Sequence, residues 1–114
     1  MIRGTTPTFH LIIDEHDLTG AKVFVTIEGN KNDVKLNWVT GDEGYELVSA
    51  SEESSEIAIT LSQEQSLLLP TGKAEVQVRW IFPDGSAKAT EPETIEVGKV
   101  LFDQEIKYED EDGE

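Results

Sequence analysis

Ala74-Glu75-Val76-Gln77-Val78-Arg79-Trp80 sets an apolar side chain at every second position and a polar one between. A segment with this period of two buries one face and wets the other only as a β-strand. Three more stretches repeat it. Val23, Val25 and Ile27 alternate with Lys22, Thr26 and Glu28; Val34, Leu36 and Trp38 alternate with Lys35 and Asn37; Ile57, Ile59 and Leu61 alternate with Ala58 and Thr60. Weaker strand signals lie at 9–13, 45–50 and 87–101, and the last contains Pro92 and Gly98, which predicts an edge strand or a broken one.

Turn chemistry separates these runs. Gly29-Asn30-Lys31-Asn32, Gly41-Asp42-Glu43-Gly44 and Pro83-Asp84-Gly85 tolerate positive φ or favour a type I turn, and each reads as a hairpin. Glu52-Glu53-Ser54-Ser55-Glu56 reads as a polar loop, since its like charges oppose regular pairing. The exception to the strand pattern is Leu61-Ser62-Gln63-Glu64-Gln65-Ser66-Leu67, where Ser62 and Gln65 have capping-box spacing and Pro70 and Gly72 stop the helix after a turn or two.

About seven strands with one short helical turn before the penultimate strand predict an all-β immunoglobulin- or fibronectin-like β-sandwich. Trp38 and Trp80 are expected as core plugs on neighbouring strands. The cysteine pair of antibody domains and their corner tyrosine are absent. Residues 1–7 read as an extended N-terminal arm, 8–102 as the sandwich and 103–114 as an acidic tail that cannot bury enough apolar surface to order itself.

The 114 residues suffice for one core, and with no cysteine its stability must come from packing rather than disulfides or thiolate metal sites. No signal-peptide segment or apolar run long enough to cross a bilayer is present, so neither export nor a membrane partner is expected. The net charge of -15 opposes nucleic-acid binding, because a phosphate backbone would be repelled. Part of that charge is local, with seven acids and one Lys in residues 103–114.

The inventory for chemistry is short. Asp14-Glu15-His16-Asp17 offers four ligating residue types in a row and could form a divalent-metal loop with His10. Consecutive residues cannot all face one ion, however, and the spacing fits neither zinc nor EF-hand patterns, so a solvated turn is the better reading. Strand acids such as Glu28, Glu75 and Glu96 alternate with core residues as a wet sheet face requires, and no Cys, G-x-S-x-G elbow or Gly-rich phosphate loop is present. No enzyme activity, cofactor or small-molecule substrate is expected.

Contacts with proteins are the remaining option. Phe24, Val39 and Ile81 fall on the polar faces of their strands, and on adjacent strands they would form a patch. That patch would be either a partner interface or a face covered by a loop, an arm or the tail segment Val100-Leu101-Phe102. Ile2 and Arg3 of the arm, with Phe9, Leu101 and Phe102, complete the candidate interface. A second reading takes the acidity as nucleic-acid mimicry, making the chain an inhibitor of a host nucleic-acid enzyme; it lacks a row of acids at phosphate-like spacing.

Met1-Ile2-Arg3-Gly4-Thr5-Thr6-Pro7-Thr8-Phe9, Leu61-Ser62-Gln63-Glu64-Gln65-Ser66-Leu67, Val76-Gln77-Val78-Arg79 and Val97-Gly98-Lys99-Val100-Leu101 together resemble a family of small proteins from tailed phages and prophages of Gram-positive bacteria. That family is similar in layout to the immunoglobulin-like N-terminal modules of phage baseplate upper proteins. Ser62 stands where the family has Thr, and either residue can cap. The resemblance implies a structural or accessory role near the tail and baseplate, in the virion or in the host cytoplasm during assembly, with tail proteins or copies of itself as partners. It supplies no catalytic residues.

Overall fold

The computed structural model describes residues 1–29, 34–101 and 104–108. In chain order they form β1 (Thr8–Asp14), β2 (Lys22–Gly29), β3 (Lys35–Val39), β4 (Tyr45–Ala50), β5 (Ser54–Thr60), α1 (Gln63–Leu68), β6 (Gly72–Ile81), β7 (Ala87–Ala89) and β8 (Glu93–Val97). One sheet has the order β1-β5-β4. The other runs β3-β2-β6, and both β7 and β8 pair with the far side of β6. Every pairing between these strands is antiparallel.

The alternating stretch at 74–80 lies at the centre of β6, which makes ladders on both sides. β7 meets residues 79–81 of β6 and β8 meets residues 72–76, so these two short strands are one edge strand in two pieces. The break spans Thr90, Glu91 and Pro92, where proline has no N–H to give a ladder. This accounts for eight strands where about seven were expected. The order matches the B-E-D and C′-C-F-G sheets of immunoglobulin-type sandwiches, with no strand among the described residues in the place of A.

Between the sheets lie Val23, Val25 and Ile27 of β2, Trp38 of β3, Ile57 and Ile59 of β5, and Val76, Val78 and Trp80 of β6, all buried. Each such side chain contributes about 1.5–3 kcal/mol on leaving water. The tryptophans are core plugs, but their strands are not neighbours. β2 runs between them, pairing Val25 with Trp38 on one side and Val23 with Trp80 on the other.

Two other local expectations are corrected. The turn at residues 41–44 is no hairpin, because it carries the chain from β3 in one sheet to β4 in the other. Gly44 has φ +91°, and a Cβ there would lie 2.7 Å from the Thr60 carbonyl oxygen, so this crossing requires glycine. Ser54, Ser55 and Glu56 belong to β5 rather than to a loop. Ser55 is fully buried and satisfied, its hydroxyl donating to the His16 carbonyl at 2.8 Å and accepting from the Leu18 N–H at 3.0 Å. Like charges at Glu52 and Glu53 stop short of the strand.

The other turn signals hold. Gly85 has φ 91°, and Phe82 and Ser86 close the β6–β7 hairpin with a 2.9 Å backbone bond. β2 and β3 pair as a hairpin, and residues 30–33 of its turn lie outside the described residues. The capping box of α1 is complete, with Gln65 N–H donating to Ser62 Oγ at 3.1 Å and Ser62 N–H donating to Gln65 Oε1 at 2.9 Å.

Candidate functional site

Period two sends Phe24, Val39 and Ile81 to the outer face of the larger sheet, and the strand order brings them together. Val39 pairs with Phe24, Phe24 with Arg79, and in the next row Lys22 pairs with Ile81 and Ile81 with Ala87. Phe24 and Ile81 keep 37% and 38% of their surface exposed, so nothing among the described residues covers them fully. A shallow depression of about 220 Å³ is lined by Phe24, Arg79, Ile81 and Ala87 with the edge of Trp80. Lys22 holds its ammonium 5.7 Å from the centre of the Phe24 ring. The patch is thus apolar with two cations at its rim, in a protein that is strongly acidic elsewhere.

The arm is at the opposite end of the sheet, where Gly29 pairs with Ala74 and β8 meets the start of β6. It is docked on its own domain. Ile2 forms a parallel bridge with Gly98, Arg3 N–H donates to the Gly98 carbonyl at 3.0 Å, and the Met1 ammonium donates to the Glu96 carbonyl at 2.6 Å. Arg3 sends Nε to the Leu69 carbonyl at 2.7 Å and an Nη to the Leu67 carbonyl at 2.6 Å. These are orphan carbonyls at the end of α1, whose last turn has no basic residue, so Arg3 supplies the C-terminal cation from 64 and 66 residues away. Buried Ser66 completes the joint by accepting from Gly4 N–H at 2.9 Å and donating to the Thr5 carbonyl at 2.8 Å.

The candidate interface residues therefore divide into two groups. Phe24, Val39 and Ile81 share one patch. Ile2 and Arg3 sit at the other end, where Ile2 is half-exposed and Arg3 is engaged by α1. Phe9 faces inward opposite Ile59 and packs against the core of its own domain. Leu101 is exposed, and Phe102 lies outside the described residues. Of the expected acidic tail, residues 103 and 109–114 are outside them too. Residues 104–108 are described, and Ile106 exchanges two 2.8 Å bonds with the Gln63 side chain.

Asp14, Glu15, His16 and Asp17 turn to different tasks. Glu15 has φ 65° and donates its N–H to Glu53, His16 lies with its ring 5.1 Å from that of Trp80, and Asp17 accepts from the Thr19 hydroxyl and N–H. Those two bonds, the hydroxyl's first, hold the Asp17 carboxyl below its ordinary value. Among the described residues no three His, Asp or Glu side chains converge in a metal-binding group.

One feature escaped the sequence. Beside β1 runs a groove of about 270 Å³ lined by Leu11 and Ile13 of β1, Val76 and Val78 of β6, and Thr90 and Glu93 at the break between β7 and β8. Its walls come from segments far apart in the chain, so no local pattern could mark it. No protein-family model, curated protein sequence or solved structure matches the chain.

Proposed function

We propose that the chain is a non-enzymatic phage or prophage protein of the tail and baseplate region, working through contacts with other proteins. The observation that carries the binding role is the outer-face patch over two adjacent rows, Val39 and Phe24 in one and Ile81 in the next, with Arg79 and Lys22 completing those rows. A sheet face that meets only water has no use for adjacent large hydrophobes, and such a patch with a charged rim suits a protein interface.

The phage setting rests on the four stretches that resemble the tailed-phage family. Three of those stretches meet in the structure, where residues 1–5, α1 with its cap and Gly98 build a joint beside the start of β6, and residues 76–79 lie further along the same strand.

Mass spectrometry of tailed particles purified from a strain that carries this gene tests the reading. The chain should be present in a fixed ratio to the tail proteins, and a Phe24→Ser/Ile81→Ser double variant should fold yet be depleted from particles. A chain abundant in the lysate and missing from particles would sink it. Salt-sensitive capture of a host nuclease by the purified chain would move the reading to the acidic inhibitor.

A further inference from the structure

The two edges of β1 differ in their hydrogen bonding. Pro7 accepts from Leu61 at one end of the ladder with β5, and Glu15 donates to Glu53 at the other. The register between them makes Phe9, Leu11 and Ile13 the hydrogen-bonded partners of β5, whereas Thr8, His10, Ile12 and Asp14 turn their N–H and C=O groups away. Among the described residues no strand lies on that side of β1.

The same edge borders the groove. Three strands of one sheet face a wider one, and the slot beside β1 is where an immunoglobulin-type sandwich keeps its first strand. Here the residues that could fill it, 1–7, go instead to Gly98 and α1. The slot therefore combines a row of free backbone donors and acceptors with an apolar lining of Leu11, Ile13, Val76 and Val78. Glu93 sits opposite Val76 in the register, which turns its carboxylate to the inner side of the edge strand and into the groove wall.

We propose that the outer edge of β1 is a strand-addition site that takes an extended segment of a partner protein. Alternate apolar side chains of that segment enter the groove, and a basic side chain meets Glu93. Backbone pairing supplies the binding and the groove supplies the sequence preference, as in other additions to a sheet edge. Charge selects the partner's chemistry: Glu93 is the one carboxylate in a groove lining that also includes His10, and the net charge of -15 sets a second copy against itself. This rests on the reading of the chain as a protein-binding module, but it uses a different surface from the Phe24 patch.

The test is amide hydrogen exchange of the full chain, followed by NMR, with the synthetic peptide acetyl-Lys-Thr-Val-Thr-Val-Thr-Val-amide as probe. In the free chain the amides of Thr8, His10, Ile12 and Asp14 should exchange fast and those of Phe9, Leu11 and Ile13 slowly. Saturating peptide should slow the first group by on the order of ten-fold or more. A peptide with Glu in place of Lys should bind more weakly. Two N-methylated versions, blocked at one or the other set of alternate residues, separate pairing from simple apolar contact, because an added strand uses only one of its edges: one version should lose the protection and the other keep it.

No protection at saturation, protection centred on Phe24 and Ile81, or equal binding by both N-methylated peptides would each overturn the proposal. None of these outcomes bears on whether particles contain the chain, so the tail and baseplate reading stands or falls separately.

Discussion

The β7/β8 edge and the β1 edge of this sandwich are managed in opposite ways. The first is cut into strands of three and five residues, interrupted at Pro92, given an inward carboxylate at Glu93, and sealed at its end by Met1, Ile2 and Arg3. The second runs seven residues without a break, with Ile12 more than half exposed beside it. Short strands, proline, inward charge and a covering segment are the means by which proteins blunt edges against unwanted pairing. The domain applies all of them to one edge and none to the other, which marks the closed edge as part of its stability and the open one as available for association.

Variants on the closed side should therefore cost stability. Ser66→Val takes away the hydrogen-bond partner of the part-buried Gly4 N–H and Thr5 carbonyl, an expected loss of about 1–3 kcal/mol in urea denaturation. Arg3→Ala removes two charge-assisted bonds at the end of α1 and should cost about 2 kcal/mol, with α1 amides exchanging faster. Arg3→Lys should recover only part of this, since a single ammonium lacks the guanidinium's fork of donors.

On the open side, Ile12→Lys should leave the unfolding free energy within about 0.5 kcal/mol of the parent and lower light scattering from concentrated solutions. A loss comparable to that of Arg3→Ala would break the comparison, because β1 would then be closed by contacts of its own.

The smallest effect is expected in the turn that leads into the closed edge. The Ser86 N–H and then its hydroxyl hold the Asp84 carboxyl below its ordinary value. A carboxyl depressed in the folded state stabilises it above the unfolded pKa and stops doing so as pH falls through the folded one. The difference in midpoint between the parent and Asp84→Ala should thus be constant near neutrality and shrink in the acid range below the usual Asp value.

Local chemistry was legible where one short segment decides the outcome. The Ser62–Gln65 capping box, the Pro83–Gly85 turn and the break at Pro92 all depend on residues a few positions apart. Period two likewise told which way Phe24, Val39 and Ile81 face. What it does not carry is strand order: β2 between the tryptophans, and residues 41–44 crossing between sheets with the same glycines a hairpin would use, follow from packing across the whole chain. Arg3 read as an interface residue of the arm because its two carbonyl partners are more than sixty residues away. The open edge was hidden for a similar reason, since which strand ends a sheet follows from the strand order and not from any local pattern.

The docked arm also orders the events of folding. Its bonds join Met1 to Glu96 across 95 residues and Gly4 to Ser66 across 62, separations that make loop closure slow and costly in entropy. The contacts of residues 1–5 are thus among the last to be fixed. Until α1 and the β8 end are in place, residues 1–5 have yet to dock, close in sequence to a β1 whose outer edge is also unpaired.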